Sequence, residues 1–161
     1  MRFEQTFTVA SPPESVFDYM TDPANLRDWQ TSKTRIEVLS DGEPRQGYRV
    51  REWTKPPGAR EFVQVVEFTE FDRPRRLRVH IVEGPYPVDG TWDLSQADHA
   101  TRVDFVAEGP LRGLMRLAAP IVTRLMARQF AIYHENLPAT SSRAPDASAQ
   151  PVSRSGLSPS R

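Results

Sequence analysis

One long stretch, Leu111 to Leu137, carries the periodicity of an amphipathic helix and constrains the fold more than any other feature. Its apolar side chains recur at steps of three and four residues, which aligns them along one helix face. That face consists of Leu111, Leu114, Leu117, Ala118, Ile121, Val122, Leu125, Met126, Phe130 and Tyr133. A helix with so apolar a face must bury it against another element of the fold.

Pro120 interrupts this pattern, because proline has no amide hydrogen to donate within a helix. We expect one main helix over Pro120 to Leu137, about 27 Å long at 1.5 Å per residue. Residues Gly109 to Ala119 are predicted as a separate, shorter helical piece or lid.

The preceding sequence consists of short, largely alternating apolar and polar runs separated by turns, which is typical of strands. In the first run, Phe3, Phe7 and Val9 share one side. Short turns between successive runs indicate an antiparallel meander. Six further strands are predicted, at Ile36–Val38, Tyr48–Lys55, Glu61–Phe71, Leu77–Val82, Val88–Leu94 and Thr101–Ala107.

Two short helices are predicted between the first and second strands. Ser11 is suited to be the N-cap of the first, Pro12 suits its first helical position, and Glu14 completes a capping box. Ala24 to Trp29 is the second. The predicted fold class is therefore α+β, with a curved antiparallel sheet of about seven strands wrapped around the long C-terminal helix.

The composition favours a single domain without covalent or metal cross-links. The chain has 161 residues, a formal net charge of zero and no cysteine, so disulfides, thiolate metal sites and a cysteine nucleophile are excluded. A neutral chain does not suggest a general nucleic-acid-binding surface. With no signal-like apolar run at the N-terminus and no membrane-span pattern, we expect a cytoplasmic location.

The composition changes sharply after Leu137. Serine, alanine and proline make up 15 of the 24 residues from Pro138 to Arg161. Such a segment buries too little apolar surface to offset the entropy of ordering it. We therefore expect a folded domain over residues 1–137 and a disordered tail over residues 138–161.

Several local motifs, in this order and spacing, resemble the polyketide cyclase/dehydrase branch of the START/birch-pollen-allergen (SRPBCC) superfamily. In this sequence the C-terminal helix stops at Pro138, whereas in many members of the superfamily it continues for another turn or more. The motifs are Val9–Tyr19, Asp22–Leu26 with Trp29, Gly47–Tyr48, Gly90–Leu94, Thr101–Phe105 and Glu135–Leu137.

The resemblance implies a helix-grip fold whose cavity binds an apolar or aromatic small molecule, such as a lipid, sterol, quinone or polyketide. Binding, as a carrier or by sequestration, is the function we expect. The alternatives are an enzyme of the cyclase, dehydratase or aromatase type, and a protein-interaction module. A fold of this kind does not by itself specify a catalytic set. No cofactor is expected.

Aromatic side chains with a few polar groups suit a site for an apolar ligand, although any one of them is more simply explained as core. If the enzyme hypothesis holds, His80, Tyr86 or Tyr133 would be its acid–base group. The candidate ligand-binding residues are Trp53, Phe62, His80, Tyr86, Trp92, Phe105, Met126, Phe130 and Tyr133.

The remaining ionisable residues suggest ordinary surface roles. If its side of the strand faces the cavity, His80 would meet the ligand and could act as an acid or base. Strand alternation favours the other arrangement, in which Val79 and Ile81 face inward and His80 is exposed. His99 is expected in a hairpin and His134 on the surface near a helix end, and the spacing of the histidines predicts no metal site. Acid–base pairs can be proposed among six carboxylates, but most of them are expected to be solvated cross-strand partners. The six are Glu52, Glu67, Asp89, Asp93, Asp104 and Glu108.

Four arginines lie opposite the apolar face of the long helix. A solvated helix face explains them as simply as a basic surface for anionic lipid. On the second interpretation the partner would be a membrane surface, contacted transiently and without stable insertion. The four are Arg112, Arg116, Arg124 and Arg128.

Overall fold

Seven strands form a single antiparallel sheet in the order β1-β7-β6-β5-β4-β3-β2 in the computed structural model, which describes residues 1–110 and 117–138. All neighbours but β1 and β7 are consecutive in sequence, as a meander requires. The strands are β1 (Arg2–Val9), β2 (Lys33–Val38), β3 (Arg49–Thr54), β4 (Phe62–Asp72), β5 (Arg76–Glu83), β6 (Asp89–Ala97) and β7 (Ala100–Glu108). The helices are α1 (Pro13–Thr21), α2 (Leu26–Trp29) and α3 (Ala119–Glu135).

The alternation of apolar residues determines which face of the sheet is buried. On β7, Thr101, Val103 and Phe105 are each 0% exposed, whereas Arg102 between them is exposed and pairs with Asp104. Successive side chains on a strand point to opposite faces, so this pattern gives one core face and one solvated face. The predicted seven-stranded antiparallel sheet is confirmed.

The first two helices close over the core face of the sheet. Helix α1 begins at Pro13 with Pro12 as its N-cap residue, so the predicted N-cap at Ser11 is wrong by one position. Proline suits the first turn of a helix, where its missing amide has no partner to lose. Helix α2 ends at Trp29, which is 1% exposed.

Helix α3 packs on the sheet through its C-terminal half. The rings of Phe130 and Phe105 stack at 4.8 Å, and Tyr133 is buried. The N-terminal half differs from the prediction, because Leu117, Ile121 and Leu125 are 83%, 65% and 63% exposed. The apolar period of a helix defines a face, but it does not define how far the sheet extends beneath it.

Two predicted segments lie outside the described residues. Residues 111–116 hold most of the predicted lid, and residues 139–161 hold nearly all of the predicted tail. Within the described ranges, α3 is the longest helix, and none of the helices combines the length and apolarity needed for a membrane span.

Candidate functional site

A cavity lies between the core face of the sheet and the short helices α1 and α2. It has a volume of about 80 Å³, and the space including its solvent-open mouth is about 600 Å³. Helix α3 contributes Phe130 to its wall, and Trp92 on β6 lies opposite the short helices. The sequence predicts a ligand between the sheet and the long C-terminal helix; of the described residues of α3, Phe130 alone lines this cavity.

The wall of the cavity on β4 and β5 is apolar. Val66 pairs with Ile81 and Phe68 with Val79 across the two strands, so the four side chains form one continuous surface. Leu77 extends this surface along β5. Such a wall binds apolar ligand atoms through the hydrophobic effect, which requires removal of apolar surface from water but no directional contacts.

Part of the cavity wall is polar and belongs to a buried group that we call the polar cluster: Lys33, Glu52, Thr54 and Gln64. All of these but Thr54 line the cavity. Lys33 Nζ donates to Glu52 Oε2 and to Thr54 Oγ1, the latter at 3.1 Å. Gln64 Nε2 donates to the same Glu52 oxygen at 2.8 Å. All four side chains are less than 9% exposed, so the pair of charges is shielded from water.

The polar cluster was not identified from the sequence. The prediction that Glu52 is a solvated cross-strand partner is wrong, because Glu52 is 4% exposed. Val50, Glu52 and Thr54 alternate with Arg51 and Trp53, which places Glu52 on the core face of β3. That alternation was the available signal.

Trp29 lines the cavity, and its indole has a hydrogen-bond donor that no described residue satisfies. Its indole Nε1–H is the one buried side-chain polar atom, within the described residues, that has no hydrogen-bond partner. Its ring packs edge-on against Trp92 at 6.3 Å and Tyr133 at 6.5 Å. A buried donor left unpaired costs about 1–3 kcal/mol, so a site that retains one calls for an explanation.

The indole of Trp92 is hydrogen-bonded to a buried histidine. Trp92 Nε1–H donates to His134 Nε2 at 3.2 Å, and His134 Nδ1–H donates to Gln5 Oε1 at 2.9 Å. The ring of His134 stacks on Phe7 at 4.2 Å. Burial lowers the pKa of His134 to about 3, so the imidazole is neutral and can accept from the indole.

The surface position predicted for His134 is therefore wrong. His134 is 6% exposed and joins α3 to β1 and β6. Its neighbour Tyr133 is also buried, and its hydroxyl hydrogen-bonds to Ser32. Burial raises the pKa of Tyr133, which keeps the phenol protonated.

Four of the nine predicted site residues line the cavity or pack against its lining, and a fifth, Met126, packs against the core. Trp92 and Phe130 line it. Phe105 is 0% exposed and stacks on Trp92 at 4.6 Å, so it supports the wall from within the core. Tyr133 packs against Trp29 beside the cavity, and Met126 is partly buried against the core.

The other four predicted residues lie elsewhere. Trp53 lies outside the cavity beneath the guanidinium of Arg35, which is 4.3 Å from its ring centroid. Phe62 and Tyr86 form an edge-to-face pair at 5.3 Å, and Tyr86 is 41% exposed. These three positions are not part of the cavity lining.

His80 lies on the opposite face of β5 from the cavity, because Val79 and Ile81 on either side of it face inward. Its Nδ1 is 3.0 Å from Asp89 Oδ1. The structure therefore follows the alternative in which His80 is on the outer face. Among the described residues, no group of three or more His, Cys, Asp and Glu side chains could hold a metal ion.

Comparison with known proteins places this architecture in a family. The family model described as "Polyketide cyclase / dehydrase and lipid transport" matches residues 1–137. No curated protein matches the sequence.

Solved structures share the fold at low identity. The protein TTHA0849 from Thermus thermophilus matches with a TM-score of 0.72 and 21% identity, covering 85% of this chain and 94% of that one. A START superfamily protein from Mycobacterium smegmatis matches with a TM-score of 0.67 and 14% identity, covering 84% and 93%. Ara h 8.0201 matches with a TM-score of 0.59 and 16% identity, covering 85% and 97%. The fold is thus the helix-grip fold, and the chain belongs to the polyketide cyclase/dehydrase and lipid transport family.

Proposed function

We propose that this domain binds an apolar or aromatic small molecule in the cavity between the sheet and the helices, as a carrier or by sequestration. The observation that carries the proposal is the continuous apolar wall of Val66, Phe68, Val79 and Ile81, closed on its other side by Trp29 and Phe130. Ligand sites are commonly concave and mostly apolar, with a few polar groups that orient the ligand.

The dimensions of the cavity define how such a ligand would bind. A volume of about 80 Å³ is well below that of an engineered cavity of about 150 Å³ that binds benzene. The inner part therefore accepts a functional group and a few carbon atoms, and the remainder of a larger ligand extends into the mouth. A lipid or sterol enclosed as a whole would require the walls to move apart.

An enzyme of the cyclase or dehydratase type is the second candidate. The observation in its favour is that Lys33 and Glu52 both line the cavity and could exchange a proton with a bound substrate. The acid–base candidates from the sequence fit less well. His80 and Tyr86 lie outside the cavity, and Tyr133 is a protonated phenol bonded to Ser32.

The test is native mass spectrometry of the purified protein, alone and after incubation with a short-chain quinone, a fatty acid and an aromatic polyketide-like compound. We expect a one-to-one adduct with at least one compound, or a co-purified ligand of the same type. Release by denaturation would then identify the mass. A protein that forms no adduct with any of them contradicts the binding function.

A matched pair of variants tests the location. Ile81→Phe adds volume at a cavity wall, whereas Val82→Phe adds the same kind of ring at the next position, on an exposed side chain of the same strand. We expect the adduct to be lost in Ile81→Phe and retained in Val82→Phe. An adduct that persists in both would place the ligand elsewhere. Turnover of a poly-β-ketone by the wild type, lost in Glu52→Gln, would favour the enzyme.

A further inference from the structure

The polar cluster has hydrogen-bonding capacity that the folded chain does not use. Glu52 Oε2 accepts from both Lys33 and Gln64. Glu52 Oε1 and Gln64 Oε1 receive no hydrogen bond from the described residues and, unlike Trp29 Nε1, are not fully enclosed. Lys33 Nζ has three hydrogens, of which two are directed to Glu52 and Thr54. The cluster therefore offers a further donor and two further acceptors.

The cavity that these groups line is also lined by Trp29, whose indole donor is unsatisfied. Trp29, Lys33, Glu52 and Gln64 all line it, and Trp29 Nε1–H has no partner although the residue is 1% exposed. A single small group that both donates and accepts hydrogen bonds would satisfy several of them at once. Buried polar atoms in native proteins normally have such a partner.

The charges of the cluster restrict the identity of that group. Among the described residues that line the cavity, Lys33 and Glu52 are the charged ones, and they form an ion pair with each other. A carboxylate or ammonium group on the ligand would add a charge with no counterion in a poorly solvated space, which is costly. A neutral hydroxyl or carbonyl group adds no such cost.

We propose that the polar cluster and Trp29 form a recognition site for a neutral hydroxyl or carbonyl group on an otherwise apolar ligand. This rests on the proposed function, and it names the chemical class within it: phenols, alcohols and ketones, rather than hydrocarbons or carboxylates. The apolar wall binds the body of the ligand, and the polar cluster selects and orients its oxygen.

Three probes of nearly the same shape test the proposal: p-xylene, p-cresol and p-toluate, which place a methyl, a hydroxyl and a carboxylate at one position of the same ring. Affinities are measured by titration, with the ¹⁵N–¹H indole resonances of Trp29, Trp53 and Trp92 as probes. We expect p-cresol to bind about ten-fold tighter than p-xylene, the ratio given by about one net hydrogen bond. The Trp29 resonance should shift with p-cresol, and that of Trp53, outside the cavity, should not.

A double variant isolates the contribution of the polar cluster. Lys33→Met with Glu52→Leu replaces both members of the buried pair by apolar side chains, which avoids leaving one charge unpaired. We expect its preference for p-cresol over p-xylene to fall to about one. The control, Glu37→Leu with Arg51→Met, removes a half-exposed ion pair from the same two strands and should retain the preference.

The outcomes separate the recognition site from the general binding function. Equal affinities for p-xylene and p-cresol would overturn the recognition site, because water would then hydrogen-bond to the polar cluster as well as the ligand does. This result would leave the binding function in place. Tightest binding of p-toluate overturns the requirement for a neutral group. A failure of all three probes to bind at millimolar concentration overturns the recognition site, whereas the binding function is decided by the adducts in native mass spectrometry.

Discussion

Acid should destabilise this protein through His134. Burial lowers the pKa of His134 to about 3, whereas an unfolded chain gives histidine its ordinary pKa of about 6.5. Between these values the unfolded state binds a proton and the folded state does not, so the free energy of unfolding falls as the pH falls. At a pH below both pKa values, His134 should have lowered the free energy of unfolding by about 5 kcal/mol in total.

The structural cause is the position of the ring. His134 accepts from Trp92 and donates to Gln5, so a proton added at Nε2 would face an indole donor. Its ring also lies against Phe7 and Phe105, where a charge is poorly solvated. Between pH 7 and pH 5 this linkage should remove about 2 kcal/mol from the free energy of unfolding.

Urea unfolding of the wild type and of His134→Gln at pH 7, 6 and 5 measures this effect. Glutamine is neutral at all three values and retains a donor and an acceptor. Carboxylates whose pKa values are lowered by arginine partners, such as Asp18 and Asp104, are present in both proteins and cancel in the comparison. If the two proteins lose the same stability between pH 7 and pH 5, within about 0.5 kcal/mol, the assignment of a buried neutral His134 is refuted.

Two further substitutions examine the cavity and its polar cluster. Phe130→Ala should lower the free energy of unfolding, measured by chemical denaturation, by about 2–3 kcal/mol. This is less than the roughly 3–5 kcal/mol for a fully buried phenylalanine, because one side of Phe130 lines the cavity. An unchanged free energy of unfolding would contradict the packing of Phe130 on Phe105. Lys33→Met alone should lower the free energy of unfolding by about 3–5 kcal/mol, because it leaves Glu52 charged and unpaired. A loss below about 1 kcal/mol is typical of an exposed ion pair and would contradict the burial of this pair.

Much of the fold could be predicted from local pattern. Alternation along β7 and the apolar positions of α1 depend only on neighbouring residues, so the sequence identifies these elements without knowledge of their partners. Local pattern was less reliable at the end of an element, as the displaced N-cap at Ser11 illustrates. A cap depends on the path of the adjoining chain as well as on the residue itself.

The candidate site could be predicted only in part. Trp92 and Phe130 were identified because large aromatic residues on a core face must border whatever space the fold leaves open. Trp53 and Phe62 have the same chemistry, and they do not line the cavity. The residue type does not distinguish Trp92 and Phe130 from Trp53 and Phe62. Whether a residue lines the cavity depends on which face of its strand or helix turns toward that space.

The sequence alone determined the order of the elements, the antiparallel meander and the apolar character of the core, because each follows from short-range periodicity. The tertiary structure decided which polar residues were buried together. Lys33, Glu52 and Gln64 meet because β2, β3 and β4 are neighbours in the sheet, with Lys33 opposite Thr54 and Glu52 opposite Gln64. Trp92, His134 and Gln5 meet because α3 lies against β1. Such contacts join residues that are distant in sequence, and their burial and charge are properties of the assembled sheet and helix.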